Sequence, residues 1–127
     1  MKRGPSFATV LNCMDGRVQT PVLEFVRKET GIAWVDNLAI PGPVMAFTDD
    51  ADPHLRQLVE RGLSISVKSH GSRRIYIVIH HDCAGCPYDR QTQQGLAMAA
   101  VKTVSSWFPE ASVQALWVNE HWEVEPL

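Results

Sequence analysis

The segment that decides the fold is Arg74-Ile75-Tyr76-Ile77-Val78-Ile79-His80. Its interior is an almost continuous run of β-branched and aromatic residues, which is typical of a strand buried on both faces at the centre of a parallel sheet. Polar residues follow at once, because His80 ends the strand and opens a loop that reaches Cys86. Reactive or metal-binding side chains that directly follow a buried parallel strand indicate a functional site at the carboxyl edge of the sheet.

An earlier strand ends in the same way. Phe7-Ala8-Thr9-Val10-Leu11 is a short apolar run, which predicts a second strand buried on both faces. The loop from Asn12 to Arg17 follows it and contains Cys13-Met14-Asp15-Gly16-Arg17. Adjacent parallel strands lie about 4.8 Å apart, so the loops that follow two neighbouring strands can reach one point.

The rest of the chain alternates helical and strand patterns. Thr20 is predicted to cap the first helix, with Pro21 at the first helical position. Helices are predicted over residues 20–31, 53–71 and 89–107, and further strands over residues 32–38 and 113–118, with residues 121–125 as an added edge strand.

This alternation predicts a small doubly wound α/β sheet of about four parallel strands, forming a single domain over residues 1–127. Right-handed crossovers restrict the strand order, and we expect the order 2-1-3-4. In that order the first and third strands are neighbours, and the chain leaves them toward opposite faces of the sheet. A crevice opens at such a topological switch point.

Composition restricts the function classes. The chain has 127 residues, a formal net charge of -2, 45% hydrophobic residues and 20% charged residues, as expected for one globular domain. A pI near 6.2 gives no argument for binding nucleic acid or an anionic membrane surface. No apolar run approaches the roughly 20 residues of a membrane helix, and no signal-peptide core follows the start. We therefore expect a cytoplasmic protein whose partner is neither nucleic acid nor a membrane.

The cysteine pattern favours a metal. Three cysteines in a cytosolic chain argue against a disulfide framework and for metal or redox chemistry. Cys13, His80 and Cys83 together offer two thiolates and one imidazole, a set that suits zinc. Three protein ligands leave the fourth position open for water, as in catalytic zinc sites.

Asp15 and Arg17 complete the predicted site. Asp15 is two residues from Cys13 and is placed to orient a zinc-bound water or to receive its proton. Arg17 could hold that carboxylate bidentate and keep it ionised. In an alternative geometry, Asp15 itself takes the fourth zinc position and gives a resting form without a nucleophile. A further alternative is an ion pair that only stabilises the loop.

These motifs resemble those of the β-class carbonic anhydrases. That family is marked by Cys-x-Asp-x-Arg after the first strand and His-x-x-Cys after the third, here residues 13–17 and 80–83. The resemblance implies that Cys13, His80 and Cys83 are zinc ligands and that Asp15 and Arg17 form the catalytic dyad. It also implies hydration of carbon dioxide to bicarbonate by zinc-bound hydroxide, and a homodimer or higher homo-oligomer with the cleft at the subunit interface.

The chain resembles a minimal, divergent member of that family. After the second strand the family normally carries Arg-Asn-Ala-Gly, whereas this chain reads Ala39-Ile40-Pro41-Gly42. After the zinc cysteine the family typically has glycine directly, whereas here Ala84 precedes Gly85.

Four alternatives remain from the sequence. The same zinc site could act on carbon disulfide or carbonyl sulfide, or the protein could bind zinc or a small anion without catalysis. Cys86 could replace Cys13 as a ligand, which would close the site and make it structural. Cys83-Ala84-Gly85-Cys86 is also a Cys-x-x-Cys motif before a helix, which is typical of redox proteins.

Overall fold

The computed structural model of the chain describes residues 6–127 and alternates strands with helices along most of that length. The strands are β1 (Phe7–Cys13), β2 (Trp34–Ile40), β3 (Arg74–His80), β4 (Ser112–Val118) and β5 (Val124–Pro126). The α-helices are α1 (Gln19–Thr30), α2 (Pro53–Ser64) and α3 (Arg90–Trp107).

The strands form a single sheet in the order β2-β1-β3-β4-β5. The first four are parallel, and β5 pairs antiparallel with β4. The predicted doubly wound α/β sheet and its strand order are therefore confirmed. The predicted edge strand also exists, although it begins later than expected and covers only three residues.

Pairing between β1 and β3 is short. β1 pairs with β2, and β3 with β4, along all seven residues of each strand. Between β1 and β3 the pairing covers only residues 9–11 against 75–77. The two strands therefore separate before their carboxyl ends, and a crevice opens between them. Cys13, at the end of β1, and His80, at the end of β3, lie on opposite sides of this crevice.

The centre of the sheet is the centre of the core. Every residue of β3 after Arg74 is buried, as is every residue of β1 after Phe7. Burial of one such Val, Leu or Ile side chain contributes about 1.5–3 kcal/mol, so these two strands hold a large share of the apolar stabilisation. β2 lies at the edge of the sheet and is only partly buried. The buried central strands β1 and β3 therefore carry the two loops of the predicted site.

Two predicted helix features are wrong. Helix α1 begins at Gln19, with Val18 at its N-cap position, so Thr20 and Pro21 lie inside the first turn. The reason is a short 3-10 turn, Gly16–Val18, which is capped by the Asp15 side chain and runs directly into the helix. The predicted helix over residues 53–71 is α-helical only to Ser64 and continues as the π-helical turn Ile65–Ser69.

The loop after β2 returns into the core. Pro43–Phe47 forms a 3-10 helix in which Val44, Ala46 and Phe47 are buried. Within residues 6–127 no helix is both long enough and apolar enough to cross a membrane.

Candidate metal centre

Cys13, His80 and Cys83 form a buried cluster at the crevice between β1 and β3. One ligand atom from each lies within 4.8 Å of the others, and the two sulfurs are 3.8 Å apart. Their exposed fractions are 3%, 0% and 5%. Over residues 6–127 no other group of three or more such side chains could hold a metal ion. The fold therefore brings together the three predicted ligands from two distant segments.

The imidazole of His80 has one nitrogen without a partner. Nδ1 lies 2.8 Å from the carbonyl oxygen of His81, an acceptor, so Nδ1 carries the hydrogen and donates it. Nε2 is buried and makes no hydrogen bond to any part of the chain that the structure describes. A buried polar atom left unpaired costs about 1–3 kcal/mol. A metal ion at Nε2 would remove that cost, and the Nδ1 bond fixes the ring orientation that such coordination needs.

The two thiols cannot both ionise easily without a cation. The contact between the Cys13 and Cys83 sulfurs lowers the pKa of Cys13 and raises the pKa of Cys83. Burial opposes protonation of His80, but the Cys13 sulfur and the His81 carbonyl outweigh it, and the net pKa of His80 is raised. A divalent cation would offset two thiolate charges at once. Two sulfurs and one imidazole nitrogen therefore fit a metal, and the donor set is one that zinc prefers.

Asp15 and Arg17 form a bidentate ion pair beside the cluster. Arg17 Nη2 donates to Asp15 Oδ2 at 2.7 Å, and Arg17 Nε donates to Oδ1 at 3.0 Å. The Arg17 backbone N–H also donates to Oδ1, at 2.9 Å. These hydrogen bonds lower the pKa of Asp15 to about 2, so the carboxylate is ionised at neutral pH. The backbone N–H of Asp15 faces the Cys13 sulfur, which places the pair next to the cluster.

A family model described as "Putative carbonic anhydrase" matches residues 3–127. The chain belongs to the carbonic anhydrase family. No curated protein sequence matches the chain significantly.

Solved carbonic anhydrase structures share the fold. A carbonic anhydrase from Glaciozyma antarctica is 14% identical and superposes with a TM-score of 0.64 over 99% of this chain and 83% of its own. One from Streptococcus mutans is 18% identical, with a TM-score of 0.64 over 98% and 82%. A tetrameric β-carbonic anhydrase from Sordaria macrospora is 10% identical, with a TM-score of 0.61 over 99% and 82%. The predicted resemblance to the β class is confirmed. At such low identities, the likeness to these structures shows a shared fold only.

Two residues of this family member that were not predicted as site residues contact the side chain of Arg17. Asp82 approaches the guanidinium through its carboxylate, 3.3 Å from Nη1, and its carbonyl oxygen, 3.2 Å from Nη2. The ring of Trp122 lies over the guanidinium, with its centroid 4.3 Å from Cζ. Both residues have positive φ, 58° and 60°, which costs about 1–3 kcal/mol for a residue other than glycine. The turn between β4 and β5 thus reaches back to the site.

The third cysteine lies outside the cluster. Cys86 is buried, and burial raises the pKa of its thiol. Its backbone N–H donates to the carbonyl oxygen of Cys83 at 3.3 Å, yet its sulfur is not among the grouped ligand atoms. All three cysteines are free thiols. The arrangement favours the set with Cys13 over the alternative set with Cys86.

Two segments that depart from the family pattern contact each other. A Cβ on Gly42 would lie 2.4 Å from the carbonyl oxygen of Gly85, and a Cβ on Gly85 would lie 2.5 Å from the nitrogen of Gly42. Gly42 also has a φ of 45°. Its backbone N–H faces the Cys13 sulfur and helps lower the pKa of that thiol. Only glycine fits at both positions, so the loop after β2 closes against the loop that carries Cys83.

Replacing Arg17 with glutamine is expected to raise the pKa of Asp15 from about 2 toward the usual value near 3.9. A lowered carboxyl pKa stabilises the fold above the unfolded-state pKa, and this contribution is lost as the pH falls toward 2. In the variant that acid-sensitive contribution is reduced, and only the backbone N–H of residue 17 still donates to the Asp15 carboxylate. Carbon-detected NMR titration of the Asp15 carboxyl measures the shift, with the exposed Arg61→Gln as control. An unchanged Asp15 pKa in Arg17→Gln would contradict the assigned cause.

Proposed function

We propose that the chain is a zinc-dependent carbonic anhydrase that hydrates carbon dioxide to bicarbonate. The observation that carries the proposal is the buried cluster of Cys13, His80 and Cys83, whose unpartnered His80 Nε2 is oriented for coordination. Family membership supports the same reaction class. Only three ligand side chains are grouped within residues 6–127, whereas structural zinc sites usually have four protein ligands, and this supports a catalytic site over a purely structural one. The ionised Asp15 beside the cluster offers a hydrogen-bond acceptor for a water molecule.

Cys13, His80 and Cys83 would hold the zinc. When bound, zinc supplies a Lewis acid that makes a water molecule nucleophilic near neutral pH. The two thiolates offset the ionic charge, and the His81 carbonyl keeps the His80 ring oriented by accepting from Nδ1. Backbone N–H groups of Asp15 and Gly42 help to lower the pKa of Cys13, which favours the thiolate form that a metal needs.

Asp15 would act as a hydrogen-bond acceptor that orients the attacking water. A group with a pKa of about 2 is a weak base at neutral pH, so it would not retain a proton taken from water. We therefore assign Asp15 the role of orienting the attacking water, and the proton is released to solvent. Both carboxylate oxygens already accept from Arg17. This engagement favours Asp15 as a neighbour of the metal over the alternative in which it occupies the fourth position.

Stopped-flow acidification of carbon dioxide solutions by the zinc-loaded chain tests the proposal. We expect a rate above the uncatalysed reaction that disappears when a chelator removes the metal. Zinc-loaded protein that gives no acceleration would support a non-catalytic zinc or anion-binding protein. Sulfide release from carbonyl sulfide or carbon disulfide, without hydration of carbon dioxide, would support the other substrates.

We further propose a homodimer or higher homo-oligomer that uses the β2 edge of the sheet. In the sheet of residues 6–127, β2 pairs only with β1, and an unpaired strand edge is a template for another chain. Trp34 on this strand is 62% exposed, and Leu58 on α2 and Ile65 at the start of the following π-helical turn are also exposed. Exposed aromatic and apolar residues of this kind are typical of interface cores. The Sordaria macrospora relative, described as tetrameric, supports assembly in this fold.

Replacing Trp34 with lysine is expected to shift the chain toward a 14.2 kDa monomer, because it places a charge in the proposed interface. Sedimentation velocity measures the change. The control is Met98→Lys, which adds the same charge at a comparably exposed position on α3. A wild-type chain that sediments as a monomer, or a Trp34→Lys variant that remains oligomeric, would refute this interface.

A further inference from the structure

Gln93 binds both main-chain groups of His80. It lies on α3, is 1% exposed, and is one of few polar residues inside the core. Its Oε1 accepts from the His80 N–H at 3.3 Å, and its Nε2 donates to the His80 carbonyl oxygen at 2.9 Å. The second Nε2 hydrogen goes to the carbonyl oxygen of Tyr88 at 3.0 Å. One side chain thus ties the end of β3 to the end of the loop that contains Cys83.

Gln19 makes an equivalent set of bonds on the other side of the crevice. It is the first residue of α1, and its Nε2 donates to the carbonyl oxygens of Cys13, at 2.7 Å, and Asp15, at 2.8 Å. Its Oε1 accepts from Asn37 Nδ2 at 2.9 Å and from Asn12 Nδ2 at 3.4 Å. The amide therefore spans the loop that carries one cluster cysteine and the carboxylate beside it.

Gln19 and Gln93 contact their loops in the same way. Each glutamine lies at the start of the helix that follows a cluster loop, and each uses both amide hydrogens on carbonyl oxygens of that loop. In both cases one of those carbonyls belongs to a cluster residue, Cys13 or His80. Only a carboxamide offers two donors and an acceptor on one planar group. Glutamate cannot donate, and asparagine is one methylene shorter.

We propose that Gln19 and Gln93 are positioning residues that set the main chain of Cys13 and His80 so that their ligand atoms are in place before metal binds. The inference rests on the part of the proposed function that assigns a divalent metal to the cluster. It does not depend on carbon dioxide as the substrate. Preorganised ligands bind more tightly because less ordering is required on binding, and loss of groups that orient metal ligands typically weakens affinity about 10–100-fold.

The test is the zinc affinity of Gln19→Met and Gln93→Met, in which a side chain of similar length makes no hydrogen bond to the loop. The matched controls are the exposed Gln91→Met on α3 and Gln57→Met on α2. Competition with a chromophoric chelator gives the dissociation constant, and thermal unfolding without metal gives the intrinsic stability. The cobalt(II)-loaded form reports ligand geometry through its thiolate charge-transfer and d–d bands.

We expect each test variant to bind zinc about 10–100-fold more weakly than wild type, with altered cobalt bands, and each control to match wild type. A purely structural role would lower the melting temperature of the metal-free protein and leave affinity and bands unchanged, which would overturn the proposal. Should a methionine variant not fold, the shorter Gln19→Asn and Gln93→Asn are measured in the same way. A wild-type chain that binds zinc without hydrating carbon dioxide would refute the proposed function and leave this inference intact, whereas one that binds no zinc would refute both.

Discussion

Replacing His80 with alanine is expected to abolish stoichiometric zinc binding and, with it, hydration of carbon dioxide. His80 would supply the only nitrogen ligand of the cluster, and its Nε2 is fully buried and otherwise unpartnered. Residues that merely orient a ligand cost about 10–100-fold in affinity when removed, so loss of the ligand itself should cost more than about 100-fold. Elemental analysis of purified protein measures zinc content, and stopped-flow acidification measures turnover.

The chain provides a matched control in its third cysteine. Cys86→Ala is expected to retain zinc and turnover, because the Cys86 sulfur lies outside the cluster. Cys13→Ala should instead behave like His80→Ala. If Cys86→Ala lost its zinc while Cys13→Ala kept it, the ligand set proposed here would be wrong, and the closed site with Cys86 would replace it.

Replacing Asp15 with asparagine is expected to lower kcat for carbon dioxide hydration about 10²-fold, the loss that misplacing a reactant can cause. The substitution removes the charge of an acceptor that Arg17 keeps ionised, and it leaves a guanidinium without its bidentate partner. Zinc content is expected to remain stoichiometric, because Asp15 is not one of the grouped ligands. Stopped-flow rates and elemental analysis on the same sample separate the two effects.

Asp49→Asn gives the same change in charge at an exposed position away from the cluster and should keep the full rate. An Asp15→Asn variant that turns over at the wild-type rate would remove Asp15 from the mechanism. A variant that also loses zinc would indicate that Asp15 itself coordinates the metal, which is the alternative that the sequence left open.

The strands were predictable because their apolar composition indicates burial on both faces. The run from Ile75 to Ile79 has no charged residue and is almost entirely β-branched, which is typical of a strand with both faces covered. Right-handed crossovers restricted the strand order to few possibilities, and the expected order was among them. The start of α1 was not predictable from Thr20 and Pro21, because the Asp15 side chain caps an upstream turn instead. Both candidate starts are local, and the Asp15 turn, in which the carboxylate accepts from the backbone N–H of Arg17 two residues on, prevails over a cap at Thr20.

The cluster was predictable for a different reason. Cys13 and His80 each end a buried strand, and two such strands at a switch point leave little freedom in where they meet. The residues around the cluster gave no comparable signal. Gln19 and Gln93 are ordinary residues at the starts of helices, and Trp122 is distant in sequence from Arg17. Their roles come from contacts that only the folded chain creates.

The short pairing between β1 and β3 has a consequence for how the domain holds together. Along the sheet, β2-β1 on one side and β3-β4-β5 on the other are joined by only three paired positions. A metal ion bound by Cys13 on one side and by His80 and Cys83 on the other would link the two parts of the sheet across this short pairing. The two cysteines that would bind it are 70 residues apart in the sequence. The bonds that serve the chemistry would then also make the two sides unfold as one cooperative unit.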